Sequence, residues 1–228
     1  METVATEVLS VREETPTVHS IRLRRPPNFA FRASQAARLI LQAGALARPF
    51  SIASGPDRPY LEFAARRSAS DFKRAFFALQ PGDEVEIVGP KGRFFLEEDA
   101  PAVLVAGGIG ITPMKSMLEH AADAGLSTPI TLLYGSHTPR EIAFRGAIDE
   151  LAHRNPRARI VYAVSEPDAG WTERVGRLGP ELLREADGPG AIYYVAGPPT
   201  MVEETLRSLQ ALGVAPERVK FEIFRGYP

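Results

Sequence analysis

Residues 104–113 read Leu-Val-Ala-Gly-Gly-Ile-Gly-Ile-Thr-Pro, an apolar run that breaks into glycines and restarts as a helix. Val103, Leu104 and Val105 suit a strand buried on both faces of a parallel sheet. Gly107, Gly108 and Gly110 strip side chains from the turn, so backbone N–H groups can approach an anion at the positive end of the following helix. Pro113 fits the first helical turn, where a missing N–H is no loss. A dinucleotide pyrophosphate is the ligand this geometry suits. The spacing is GGxGxxP, not the common GxGxxG, and by itself it also describes an ordinary tight strand-to-helix turn.

What surrounds the motif sets its context. Before residue 100, strand-like runs (3–11, 18–23, 37–41, 48–53, 60–65 and 84–88) are punctuated by Pro26-Pro27, Gly55-Pro56 and Pro81-Gly82, the rhythm of a small antiparallel β-barrel. One helix interrupts them at 70–79, with Phe72, Phe76 and Leu79 on one face and Ser70 as N-cap. After Asp99, strands at 102–106, 130–134, 159–164, 192–196 and 219–222 alternate with helices at 112–124, 145–152, 180–185 and 199–212. That alternation predicts an α/β doubly wound parallel sheet. Two domains are expected, 1–97 and 98–228, with ligands beyond the carboxyl ends of the parallel strands.

Composition narrows the chemistry. The 228 residues include no Cys, which excludes disulfides, a Cys nucleophile and cysteine-held iron–sulfur clusters, so redox chemistry must use an organic cofactor or a partner. His19, His120, His137 and His153 lack metal-ligand spacing. A net charge of −1 argues against nucleic acid. No apolar run approaches a membrane span and the first residues lack a signal-peptide pattern, so a cytoplasmic location is expected.

Further glycine turns close other parallel strands: Tyr134 to His137 (YGSH) and Ala196 to Met201 (AGPPTM). The first half adds RPFS at Arg48 to Ser51 and GPKGRF at Gly89 to Phe94. Arg48 is placed to pair with a phosphate, and the helix opening at Ser70 is a second anion site.

In this order the segments resemble the ferredoxin–NADP reductase superfamily, flavoproteins with an FAD-binding barrel followed by a nicotinamide-binding α/β domain. The likeness runs from about Val4 to Tyr227. Its R-x-Y-S looks like Arg48-Pro49-Phe50-Ser51, GPxGxF like Gly89 to Phe94, GGxGxxP like Gly107 to Pro113, and CGPxxM like Ala196 to Met201. The resemblance implies that Arg48 neutralises the FAD pyrophosphate, Phe50 packs on the isoalloxazine beside Pro49, and Ser51 hydrogen-bonds near flavin N5. Arg66, Ser70, Gly89, Lys91 and Gly92 complete the flavin contacts. Gly107, Gly108 and Gly110 cradle the nicotinamide dinucleotide, with Thr112 toward the nicotinamide. Ser136, Ser165, Glu166, Gly197, Pro198 and Met201 line the same edge. Glu222 takes the acidic position near the reacting rings, and Tyr227 either lies over the flavin, as a terminal aromatic does in some members, or belongs to a frayed terminus. Ser51, Glu222 and Thr112 are thus the catalytic candidates.

Two departures stand out: Phe50 lacks the motif tyrosine's hydroxyl, and Ala196 replaces the motif cysteine. Glu166, in Ser165-Glu166-Pro167-Asp168, repels a 2′-phosphate and favours NADH over NADPH, although Arg140, Arg174 and Arg177 offer alternative phosphate partners. The implied reaction passes hydride from NADH or NADPH to FAD and electrons onward to ferredoxin, an oxygenase component or a haem protein. Reduction of free, diffusible flavin and a non-enzymatic nucleotide-binding module are the competing readings.

Overall fold

The computed structural model describes residues 2–225 and forms two six-stranded sheets, one after the other along the chain. The first is antiparallel: β1 (Val4–Thr15), β2 (Val18–Arg24), β3 (Ala36–Leu41), β4 (Leu46–Ser51), β5 (Tyr60–Arg66) and β6 (Glu84–Lys91). Their spatial order is β4-β3-β6-β1-β2-β5. Alternation along the strands buries Ile21, Leu23, Leu39, Leu61, Phe63, Val85 and Ile87 in one core. Helix α1 (Asp71–Ala78) adds Phe72 and Phe76 to that core, and the Ser70 hydroxyl caps it by accepting from Lys73 N–H at 3.4 Å. The ends of the strand order approach where Ala53 N–H donates to Glu62 O at 2.7 Å.

The second sheet is parallel throughout, in order β10-β9-β8-β7-β11-β12. It comprises β7 (Ala102–Gly107), β8 (Ile130–Ser136), β9 (Ala158–Val164), β10 (Arg174–Val175), β11 (Ile192–Gly197) and β12 (Val219–Ile223). Helices α2 (Ile111–Asp123), α3 (Arg145–Arg154), α4 (Pro180–Ala186) and α5 (Pro199–Ala211) connect them. Strand residues divide between two cores by parity. Leu104, Leu132 and Tyr134 pack with Met114, Met117 and Ile148 of α2 and α3, whereas Val103, Val105 and Leu133 pack with Leu183, Val202 and Leu209 of α4 and α5. The sheet is therefore covered on both faces.

Two expectations change. β1 runs four residues beyond Val11, through Arg12, Glu13 and Glu14, because pairing with β2 sustains a strand whose side chains reach solvent. β10 adds an exposed two-residue strand beside β9, too short to leave a periodic signal. Chain order reverses between β7 and β11, so a crevice opens beyond their carboxyl ends at Gly107 and Gly197. Among the described residues no helix is long and apolar enough to cross a membrane.

Candidate active site between the two sheets

A cavity of about 940 Å³ occupies that crevice and extends to the first sheet. From the first sheet come Arg48, Pro49, Phe50 and Ser51 of β4, Arg66 at the end of β5, Arg67, and Lys73 of α1. From the second come Gly107, Gly108, Thr112, Ser136, His137, Ser165, Arg177, Pro198, Met201, Glu204, Glu222, Phe224 and Arg225. The three catalytic candidates, Ser51, Thr112 and Glu222, are thus brought to one space although they are far apart in sequence.

On the first-sheet side the β4 register turns Phe50 against α1, where it stacks on Phe76 at 5.7 Å and 7° and on Phe72 at 5.4 Å. Lys73 Nζ lies 4.5 Å from the Phe50 ring centroid. Burial lowers the Lys73 ammonium to about 8, and an anion entering the cavity would raise it again. The Arg67 guanidinium lies 4.4 Å over Phe77.

On the other side β7 ends in a single 3₁₀ turn, Gly108–Gly110, that leads directly into α2. Gly108 has φ +52°, and its carbonyl accepts from the buried Tyr134 hydroxyl at 3.1 Å; that hydroxyl in turn accepts from Ala143 N–H at 3.2 Å. Gly107 faces Pro198 and Met201, and a Cβ there would meet Met201 Cε at 2.8 Å. Thr112 Oγ1 donates to Ile109 O at 3.2 Å, tightening the same turn.

Ser51 and Glu222 bring a hydroxyl and a carboxyl to the cavity from opposite sides. The Ser51 hydroxyl lies at the end of β4, close to the Glu222 carboxyl of β12. Burial pushes Glu222 up to about 7, with the Ser51 hydroxyl pulling the other way.

Other expected residues fall outside the cavity. Gly110 is buried against β11, where a Cβ would lie 2.2 Å from Ala196 O, so its glycine serves packing. Gly197 likewise faces Met201. Ser70 caps α1 without lining the cavity. Lys91 lines an adjoining hollow of about 360 Å³ with Arg48 and Pro49. Gly89 packs on Ala37, and Gly92, at φ +100°, turns the chain after β6. Glu166 is exposed beyond β9, while Arg174 is paired with Glu185 at 2.8 Å; neither they nor Arg140 line the cavity. Tyr227 lies outside the described residues.

Lys73, Arg67, Glu204 and Arg225 are lining residues that sequence reasoning missed. Two carried a usable signal: Lys73 is three residues past the Ser70 cap, and Glu204 is three past Met201 on one helix face. Among the described residues no cluster of His, Cys, Asp or Glu could hold a metal ion.

The family model for the oxidoreductase NAD-binding domain matches residues 104–207, from β7 through most of α5. Over 210 residues the chain is 31% identical to ferredoxin–NADP reductase B of Sorangium cellulosum, covering 86% of each protein. The chain belongs to the ferredoxin–NADP reductase superfamily. Within this superfamily it is also 27% identical to the reductase component of propane 2-monooxygenase from Rhodococcus jostii, over 97% of this chain but 63% of that longer protein. The crystal structure of an Amycolatopsis cytochrome P450 reductase superposes with a TM-score of 0.86 at 27% identity, over 98% of this chain and 70% of that one.

Proposed function

We propose that this chain is an FAD-containing NAD(P)H reductase that draws hydride from a nicotinamide and delivers electrons to a separate acceptor protein. The carrying observation is the shared cavity, in which Ser51 of the first sheet meets Glu222 of the second beside the glycine turn. Its donors fit two dinucleotides. Arg48, Arg66, Arg67 and Lys73 supply cations on one side, and Gly107 and Gly108 leave the opposite backbone without Cβ atoms.

Bound FAD supplies the two-electron acceptance and the one-electron release that no side chain here can provide. Arg48, Arg66, Lys91 and the helix start at Ser70 hold its phosphates, with Gly89 and Gly92 shaping the approach; Pro49 and Phe50 support the ring. Ser51 directs its hydroxyl toward the reacting edge, oriented by Glu222. Gly107, Gly108 and Gly110 form the nicotinamide phosphate turn, and Thr112, Ser136, Ser165, Gly197, Pro198 and Met201 orient the rest. Enclosing both rings between the sheets excludes water from the transfer.

We place the division between the units at residues 97 and 98, and read the first sheet as a barrel closed where Ala53 meets Glu62. The acceptor class is a ferredoxin, an oxygenase component or a haem protein. NADH is the preferred donor, because the Glu166 carboxylate repels a 2′-phosphate; Glu166→Arg is expected to shift the NADPH:NADH ratio of kcat/KM upward by about 10-fold.

Phe50 supports a second reading, since without a tyrosine hydroxyl the flavin is held by fewer bonds and a diffusible flavin becomes a substrate. Purified protein separates the two. Retained stoichiometric FAD that NADH bleaches without oxygen is the expected result, and colourless protein that reduces added flavin supports the second reading. No reduction under either condition overturns both.

A further inference from the structure

Helix α2 carries Thr112 at its cavity end, and one turn further on it carries a lysine that is 2% exposed. Lys115 Nζ lies 2.7 Å from Glu62 of β5 and 3.6 Å from Glu119, and it donates to Ala53 O at 3.3 Å. The neighbouring residues repeat the connection. Ser116 Oγ donates to Ser54 O at 2.7 Å and accepts from Ser34 N–H at 2.9 Å, while Glu119 accepts from Gly55 N–H at 2.7 Å. The consecutive residues Ala53, Ser54 and Gly55 are therefore all bound by α2. They follow β4, which ends at Ser51, with only Ile52 between.

Opposite charges are paired across this joint. Arg22 pairs with Glu62 at 2.8 Å, and Arg58 reaches Glu119 at 3.2 Å and Asp123 at 3.0 Å, so Lys115, Arg22 and Arg58 face Glu62, Glu119 and Asp123. Burial favours a neutral Lys115, but Glu62 and Glu119 outweigh it and hold the ammonium above its usual range. Burial would also raise Glu62, yet Lys115 and Arg22 hold it below the usual carboxylate range. A buried ion network of this kind adds little net stability over an apolar joint. What it does supply is directional bonding.

We propose that Lys115, Ser116 and Glu119 are positioning residues, which lock the Ala53–Gly55 segment to α2 and thereby fix Ser51 relative to Thr112 across the cavity. This rests on the reductase reading above. The joint then sets the approach of the two rings, where a displacement of about 1 Å can cost about 100-fold in rate. Gly55 is part of the fit: a Cβ there would lie 3.1 Å from His120 N and 3.3 Å from Glu119 Cγ.

Lys115→Met tests the proposal in the flavin-loaded protein, because Glu62 keeps Arg22 and Glu119 keeps Arg58 and Gly55 N–H. Flavin content and NADH affinity should hold, while flavin reduction at saturating NADH slows by about 10-fold or more. Amide exchange at Ser34 and Gly55, measured without flavin or nicotinamide, should quicken. If the variant does not fold, Ser116→Ala should show the same pattern with a smaller slowing. A variant that is less stable but reduces flavin at the wild-type rate overturns the proposal. A wild-type protein that neither holds flavin nor oxidises NADH sinks the reductase reading instead, and exchange at Gly55 still reports on the lock.

Discussion

The first sheet meets the cavity with side-chain cations, and the second meets it with bare backbone. Arg48 of β4, Arg66 at the end of β5, Arg67 just beyond it and Lys73 of α1 line the first wall. The opposite wall is built on Gly107 and Gly108, where β7 gives way to α2, and the second sheet's arginines at the cavity, Arg177 and Arg225, lie on exposed segments away from that turn. Both walls favour anions by different physics. A guanidinium loses strength when neutralised or screened by salt. A glycine turn is indifferent to charge nearby but tolerates no added carbon.

The largest effect should therefore come from a methyl group just behind the second wall, where the same turn packs on β11. Gly110→Ala forces a Cβ to within 2.2 Å of Ala196 O, a backbone atom that cannot swing aside. NADH oxidation should fall by about 100-fold and stability by about 1–3 kcal/mol, while FAD is still retained. Steady-state assays, denaturant midpoints and flavin fluorescence check these outcomes separately. Equal loss of FAD would mean that the two walls are not independent.

Ser51→Ala comes next, on the first wall opposite Glu222. Flavin reduction should slow by about 10- to 100-fold, or about 1.4–2.8 kcal/mol of barrier, as read by stopped-flow absorbance. An unchanged rate removes Ser51 from the reacting site. On the cationic wall, Arg48→Gln should weaken FAD binding by about 10-fold and flatten its salt dependence. Titrations at two ionic strengths decide it, and the glycine-turn variant should leave that salt dependence intact.

The smallest effect is a pH dependence. Glu222 is raised to about 7 from an ordinary 4.5, chiefly by burial, so it is neutral in acid and ionised above neutrality. A carboxylate in the cavity stabilises the positive charge that develops on a nicotinamide losing hydride, so flavin reduction should rise several-fold as pH passes through about 7. For stability the sign is opposite. The raised pKa stabilises the folded state most fully below about 4.5, and this contribution is lost as pH climbs through about 7. Glu222→Gln should remove both dependences, as checked by pH profiles of the reduction rate and of the melting temperature.

Legibility in the sequence followed the range of the interaction. The Ser70 cap, the strand-turn-helix at 104–113 and the five expected parallel strands are local patterns, and each falls within a residue or two of its expected place. Ser51 and Glu222 line one cavity, a proximity that no local spacing carries. Gly110 was legible as a glycine but not as a packing glycine, since its reason lies in Ala196 on another strand. Lys115 was the least readable residue. A lysine on an amphipathic helix is ordinarily solvated, and only the approach of Glu62 from the other sheet buries it.

Ring-to-ring transfer across the cavity is the claim that everything above serves, and deuterium on nicotinamide C4 tests it most directly. In oxygen-free stopped-flow with each of the two C4-deuterated forms of NADH, one form should bleach the flavin several-fold more slowly than ordinary NADH, and the other should match it. Equal rates for all three, or a flavin that never bleaches, would contradict a hydride passed face to face between the sheets.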